Sequence, residues 1–143
     1  MIRLVSVYKD QPTRDIAYGV LYALLAQRDA SESISHRFMP SMAQHVRYVD
    51  SEPYRAWYLV YVEHLPEPVG CCYVSKMNEI GISIDQKHRR KGYGRGALEA
   101  IIRLHQGETL LANVRTENLK SIHLFKSAGF MPLQTTYRLE VPK

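Results

Sequence analysis

Long apolar runs are missing from this sequence. No stretch approaches the roughly 20 residues of a membrane span, so no membrane partner is expected. Cysteine is scarce. The two present, Cys71 and Cys72, are adjacent in a strand-like run, where neighbours point to opposite faces and are poorly placed to pair. A reducing, cytoplasmic setting is the expectation. Met1 to Tyr8 lacks the layout of a signal peptide and reads as a first strand. Repeats, low-complexity tracts and linkers are absent. His45, His64, His105 and His123 have neither metal-ligand spacing nor cysteine partners, so no metal is expected. The phosphate-loop string G-x-x-x-x-G-K-S/T does not occur either.

What remains is an ordinary globular composition, 45% hydrophobic and 23% charged over 143 residues, which predicts one domain spanning 1–143. The net charge of +5 is unevenly spread. Its densest piece is Lys87, His88, Arg89, Arg90, Lys91 and Arg95, beside a glycine loop. That placement favours one polyanionic ligand over a nucleic-acid track.

Periodicity orders the chain. Residues 2–8 form a strand, and Asp10 to Pro12 open a helix with Ile16, Ala17, Val20, Leu21, Leu24 and Leu25 on its apolar face. Residues 31–41 are a loop, and 42–49 a short helix. Strands follow at 54–62, 69–75 and 79–85. In the last of these, Ile80, Ile82 and Ile84 share one face, while Glu79, Gly81, Ser83 and Asp85 share the other. A helix over 93–106 buries Ala97, Leu98, Ile101, Ile102 and Leu104. Gly107 ends it, and 110–114 is a strand. Asn118 starts a helix carrying Ile122, Phe125 and Ala128, closed by Gly129 with Phe130 placed for a hydrophobic contact. Residues 130–141 supply the last strand or strands. The expected fold is α/β, a mixed sheet with helices on both faces.

A strand, a basic glycine loop and a helix N-terminus in that order make an anion site. Unpaired backbone N–H groups and the helix dipole attract negative charge, and glycine admits a ligand to the main chain. Gly92, Gly94 and Ala97 formally satisfy a dinucleotide fingerprint, with Glu117 near the acidic distance. Against it, the basic run Lys87 to Lys91 separates strand from glycine, and too little chain follows for a parallel dinucleotide fold.

The same loop, read as R-x-x-G-x-G through Arg89, Arg90, Lys91, Gly92, Tyr93 and Gly94, resembles the acetyl-coenzyme A signature Q/R-x-x-G-x-G/A of the GNAT family of N-acetyltransferases. A second motif of that family follows at its spacing: Asn118, Ser121, Leu124, Phe125, Gly129 and Phe130. The resemblance is firm over 79–130 and topological over 54–75. It implies a GNAT-like fold, mostly antiparallel, whose sheet splays between its fourth and fifth strands. The implied chemistry is acetyl transfer from acetyl-coenzyme A to a primary amine by direct attack in a ternary complex.

The implied cofactor residues are Ile82, Ser83 and Ile84 for the pantetheine arm, and Arg89, Arg90, Lys91, Gly92, Tyr93, Gly94 and Arg95 for the phosphates, with Lys87 adding charge. Asn118 would bond the arm, while also reading as a plain helix cap. Glu79 is the candidate general base; it also reads as a turn-end carboxylate paired with Lys76 or an arginine. Many family members carry tyrosine where this chain has Phe125, to protonate the leaving thiolate. Tyr137 and Tyr93 are the alternatives for that acid. His36, Arg37, Tyr54 and Trp57 are candidates for the acceptor site, with core and capping roles as the plainer reading. The acceptor is expected to be a small-molecule amine such as an amino sugar, then a peptide amine, and the protein a monomer or homodimer. A non-catalytic coenzyme A-binding module is the rival.

Overall fold

The computed structural model describes residues 1–28 and 39–143. Strand β1 (Ile2–Ser6) leads into helix α1 (Gln11–Ala26), and α2 (Met42–Asp50) precedes strands β2 (Ala56–Val62), β3 (Gly70–Val74) and β4 (Glu79–Ile84). A 3-10 turn (Gln86–His88), α3 (Tyr93–Leu104), β5 (Leu111–Ala112) and α4 (Leu119–Ser127) complete the elements. Side-chain caps start α1 and α2. The Asp10 side chain accepts from the Thr13 amide at 2.8 Å ahead of α1. Ser41 and Gln44 satisfy each other's backbone N–H groups in a capping box at α2.

The five strands lie in chain order, and the first four are antiparallel neighbours. β5 joins β4 in parallel through only two residue pairs, Glu79 with Leu111 and Ile80 with Ala112. On one face, Ala97, Leu98 and Ile101 of α3 pack with Val60, Val62, Cys72, Val74 and Ile80. On the other, Ala17, Leu21 and Leu24 of α1 and Val49 of α2 pack with Trp57, Leu59 and Cys71. The adjacent cysteines thus point to opposite cores as their strand spacing requires, and both are free. Burial pushes both thiols up, Cys71 to about 11, so they are inert packing groups.

Glycine sets one close approach here. A Cβ on Gly96 would lie 2.6 Å from Ile2 Cγ1, so its absence lets α3 sit directly on β1. At the end of α4, Gly129 has φ of 100° and the Phe130 amide reaches back to the Phe125 carbonyl at 3.0 Å. The two phenyl rings meet edge to face at 5.2 Å, the contact expected of this cap.

Several expectations need correction. Residues 131–143 form no strand and are exposed, although Met131, Leu133, Tyr137, Leu139 and Val141 alternate as a strand would. Alternation supplies one apolar face but not a pairing edge, and β5 is too short to offer one. Leu104 and Ile16 are 57% and 50% exposed, because Ile101 and His105 take the inward positions at the end of α3, and Ala17, Leu21 and Leu24 those of α1.

A polar chain braces the lower end of the sheet. The Tyr58 hydroxyl meets His105 Nε2 at 3.0 Å, and His105 Nδ1 meets Glu108 at 2.9 Å. Arg55 donates to Glu108 at 2.6 Å and to Asn78 at 3.0 Å, in the turn just before β4. His105 first, then Arg55, holds the Glu108 carboxyl below its ordinary value. A depressed carboxyl contributes stability above the unfolded pKa and loses it as pH falls through the folded one. Glu108→Gln is therefore expected to lower Tm at pH 7, with the gap to the native chain closing below about pH 4. Thermal melts across that range test it; a gap unchanged at pH 3 would assign the loss to packing.

Candidate active site

The parting of β4 from β5 beyond Ile80 leaves the outer edge of Gly81 to Ile84 unpaired. A groove of about 500 Å3 runs along it. Gly81, Ile82, Ser83 and Ile84 form one wall, and Asn113, Val114, Arg115 and Asn118 the other. Phe125 and Leu124 of α4 close its floor. One end of the groove reaches the N-terminus of α3.

That terminus is built to receive an anion. Gly92 is its cap, at φ of 80°, and it provides no side-chain hydrogen bond; no acidic residue occupies the first turn. The orphan amides of the first turn therefore face the groove with the positive end of the helix dipole. Arg90, also lining the groove, is held at φ of 64°, a left-handed conformation that costs a non-glycine residue roughly 1–2 kcal/mol. His88 Nδ1 is buried there with no hydrogen-bond partner among the described residues. Unpaired amides, an orphaned imidazole nitrogen and a strained arginine together fit a phosphate group.

The predicted cofactor residues divide by role. Ile82, Ser83, Ile84, Arg89, Arg90, Gly92, Tyr93, Gly94, Arg95, Asn118 and Phe125 all line the groove; Lys91 does not. Arg89 donates Nε to the Ile84 carbonyl at 3.0 Å, so it also buttresses the end of β4. Arg95 bonds Ser127 of α4 and pairs with Glu99 at 3.9 Å. Asn118 caps α4 by accepting from the Ser121 amide at 3.3 Å, and it also lines the groove. Sequence reasoning missed Arg28, Arg115, Lys120 and His123, which add basic groups to the groove. Arg28 follows the end of α1, and Gln27 beside it accepts from the Gln86 amide at 2.9 Å, an anchoring no local pattern signals.

A second cavity, of about 410 Å3, lies on the α1–α2 side of the sheet. Leu21, Leu24 and Leu25 line it from α1, His45 and Tyr48 from α2, and Tyr54, Trp57 and Tyr73 from the sheet region. Tyr54 stacks on Tyr73 at 3.9 Å and meets Trp57 edge to face at 4.7 Å. Trp57 Nε1 and His45 Nε2 are buried without hydrogen-bond partners among the described residues, although the Cys71 sulfur lies beside the indole. Burial lowers the His45 pKa, so this imidazole is neutral near pH 7. Tyr54 and Trp57 thus meet in one aromatic wall. His36 and Arg37 lie outside the described residues. Arg28, Tyr73 and Ser83 line both cavities, so the two spaces meet there.

Glu79 stands at the start of β4 with its amide held by the Ser75 hydroxyl at 3.0 Å, and its carboxylate accepts from Asn113. It lines neither cavity itself, but Asn113 and Gly81 beside it line the groove. Its pairing with Lys76 is not formed; Asn113 across the strand gap takes that place. Tyr137 is 91% exposed and lines neither cavity. No group of three or more metal-binding side chains occurs among the described residues, and no helix among them is long and apolar enough to cross a membrane.

Comparison with known proteins accords with this geometry. No curated protein matches the sequence. Among solved structures, a ribosomal-protein-alanine N-acetyltransferase from Brucella melitensis superposes with a TM-score of 0.67 at 17% identity, over 90% of this chain and 83% of that one. The microcin C7 self-immunity acetyltransferase MccE, solved with acetyl-CoA and AMP, gives 0.64 at 15% identity, over 90% and 78%. A putative acetyltransferase from Salmonella typhimurium, yncA, solved with its cofactor acetyl-CoA, gives 0.63 at 16% identity, over 91% and 78%. At such identities the likeness is one of fold. The sequence model of the acetyltransferase (GNAT) family matches residues 22–130, and the chain belongs to that family.

Proposed function

We propose that this acetyltransferase moves the acetyl group of acetyl-coenzyme A to the primary amine of a small molecule, by direct attack with both substrates bound. One observation carries the reading: a groove with a phosphate-ready end and a separate aromatic cavity lie side by side, with Arg28, Tyr73 and Ser83 lining both. A donor and an acceptor bound in the two would have their reactive ends side by side, which is the main requirement of a ternary-complex transfer.

The α3 amides from Tyr93 to Arg95, with Arg89, Arg90 and Lys91 nearby, would hold the diphosphate. The unpaired edge of Ile82 to Ile84 would bond the pantetheine arm as an added strand, with Asn118 opposite. Acetyl-coenzyme A supplies an activated acetyl carbon and a thiol leaving group. The chain must orient it, exclude water and accept a proton from an ammonium whose solution pKa is near that of lysine, about 10.4. Glu79 is the base in this reading. Set back from both cavities, it would work through a water molecule beside Asn113 and Gly81.

Aromatic walls and a volume of about 410 Å3 favour a compact acceptor with an apolar face. An amino sugar set against the aromatic wall of Tyr48, Tyr54 and Trp57 fits that description. A panel of amino sugars, arylalkylamines and short peptides, assayed by release of free thiol, tests the class. Turnover confined to peptides would replace the small-molecule reading.

A Cβ on Gly94 would meet only Ile84 Cγ1, at 3.9 Å, so the fold has room for a side chain there and a bound diphosphate would not. Acetyl-coenzyme A should raise Tm of the native chain, since ligand at 100 times Kd stabilises by about 2.7 kcal/mol. Gly94→Val should melt normally alone and lose most of that rise. Wild-type affinity in this variant by calorimetry would move the phosphates elsewhere.

Glu79→Gln should lower kcat at neutral pH, with the deficit shrinking as pH approaches the amine's own pKa, while cofactor affinity hardly changes. A pH–rate profile equal to wild type would leave Glu79 a structural residue. On the acceptor side, Leu25→Trp should fill the cavity and raise the acceptor KM by about tenfold or more. The dissociation constant of acetyl-coenzyme A should stay within about threefold. Equal loss of both affinities would mean that the two cavities are not separate sites.

A further inference from the structure

The family position that often carries a proton-donating phenol is Phe125 here, on the groove floor. Resting on the acetyl-transfer reading above, we propose that Tyr73 of β3 is a catalytic residue whose hydroxyl donates to the cofactor sulfur where groove and cavity meet.

Position comes first. Tyr73 lines both cavities and stands opposite Gly81 of β4 and Trp57 of β2 in the sheet register. Its ring lies over Gly81, where a Cβ would come within 2.3 Å of the ring carbons. The missing side chain lets the phenol reach across β4 toward the unpaired edge. A donor with phosphates at the α3 N-terminus enters beside Ile84, and Gly81 lies three residues further along, about 10 Å at the usual rise of roughly 3.3 Å per residue. The reactive end of the donor must lie where the acceptor cavity opens, and Tyr73 stands there.

Rigidity and an unused donor come next. Tyr54 stacks on the Tyr73 ring at an interplanar angle of 11°, and Trp57 backs Tyr54. The phenol is therefore held before any substrate arrives, which is what an electrostatic donor needs. Other tyrosine hydroxyls are already engaged: Tyr22 donates to the Pro40 carbonyl at 2.8 Å, and Tyr58 meets His105. The Tyr73 hydroxyl has no hydrogen bond to a described residue. Burial holds its pKa above the ordinary phenol value, with Arg28 opposing the rise and Glu79 adding to it, so the hydroxyl stays protonated at working pH. The other tyrosines lack this placement. Tyr93 sits at the phosphate end, its ring near His88, and Tyr137 is in solvent.

Protons balance as follows. The amine nitrogen bonds to the acetyl carbon and gives up one proton; the carbon–sulfur bond breaks with its electron pair going to sulfur, which needs one. Tyr73 supplies the sulfur from its hydroxyl. Its phenolate recovers a proton from the amine by way of water and Glu79. The net change is ammonium and thioester to amide, thiol and one proton, the first ammonium proton having left through Glu79 and water to solvent before attack.

Tyr73→Phe keeps the stacked ring and removes only the donor. Calorimetry of coenzyme A and its desulfo analogue, on wild type and variant, isolates the sulfur contact without turnover. Wild type should prefer coenzyme A. In Tyr73→Phe, affinity for coenzyme A should fall about threefold or more while that for the desulfo analogue stays within about twofold. In the same variant kcat should drop at least about tenfold, with acceptor KM within about threefold. Unchanged affinities, or equal weakening of both ligands, overturns the assignment. Wild type failing to bind either ligand would overturn the cofactor reading as well; wild type binding both, with a variant indistinguishable from it, overturns Tyr73 alone. Should Tyr73→Phe melt abnormally, Gly81→Ala carries the test. Its added Cβ must displace the ring and should produce the same sulfur-selective loss.

Discussion

A pair of strands that stops pairing after two residues governs this molecule. Beyond Ile80 and Ala112, β4 and β5 diverge, and the edge of β4 from Gly81 to Ile84 is left without a strand partner, the Ile84 carbonyl being taken by Arg89 Nε. An open edge inside a sheet is costly unless something fills it. The fold leaves it open and places an uncapped helix N-terminus at one end. Both features present unpaired donors to the same space, and an extended molecule with phosphates at one end can satisfy them together.

The rest of the structure holds that gap open. The core of α3 against β1 to β4 fixes one lip, with Gly96 bringing the helix tight onto Ile2. The chain of Tyr58, His105, Glu108, Arg55 and Asn78 pins the turn from which β4 starts. On the other lip, Asn118 and Ser121 start α4, and the Phe125–Phe130 contact closes it. Asn118, Ser121 and Phe125 line the groove themselves, whereas Gly96, Ile2 and the chain from Tyr58 to Asn78 support it from outside.

The opposite face serves a different chemistry. Helices α1 and α2 leave an aromatic hollow above Trp57, Cys71 and Tyr73, where the His45 and Trp57 ring nitrogens are buried without hydrogen-bond partners among the described residues. Small residues on the polar face of β4 connect the hollow to the groove. Gly81 makes room for the Tyr73 ring, and Ser83 borders both spaces. The alternation of isoleucine with small residues in this strand therefore has two uses at once: the isoleucine face packs against α3, while the small face joins the two binding spaces.

Much of this was legible in the chain. Strand alternation, helix caps and the two glycine-bearing motifs are local signals, each written within a few residues, so they located β4, the basic loop, α3, Asn118 and Phe125. The family match over residues 22–130 agrees with that reading. Tertiary structure decided what depends on residues far apart in sequence. The 131–143 segment alternates like a strand but has no edge to pair with. Arg28 reaches the groove only because α1 ends against the Gln86 turn, and Tyr73 became a site residue only because Gly81, eight positions on, has no side chain in its way. Periodicity specifies which face a side chain takes. Only the packed sheet specifies what that face meets, because pairing and cavity walls are contacts between distant segments.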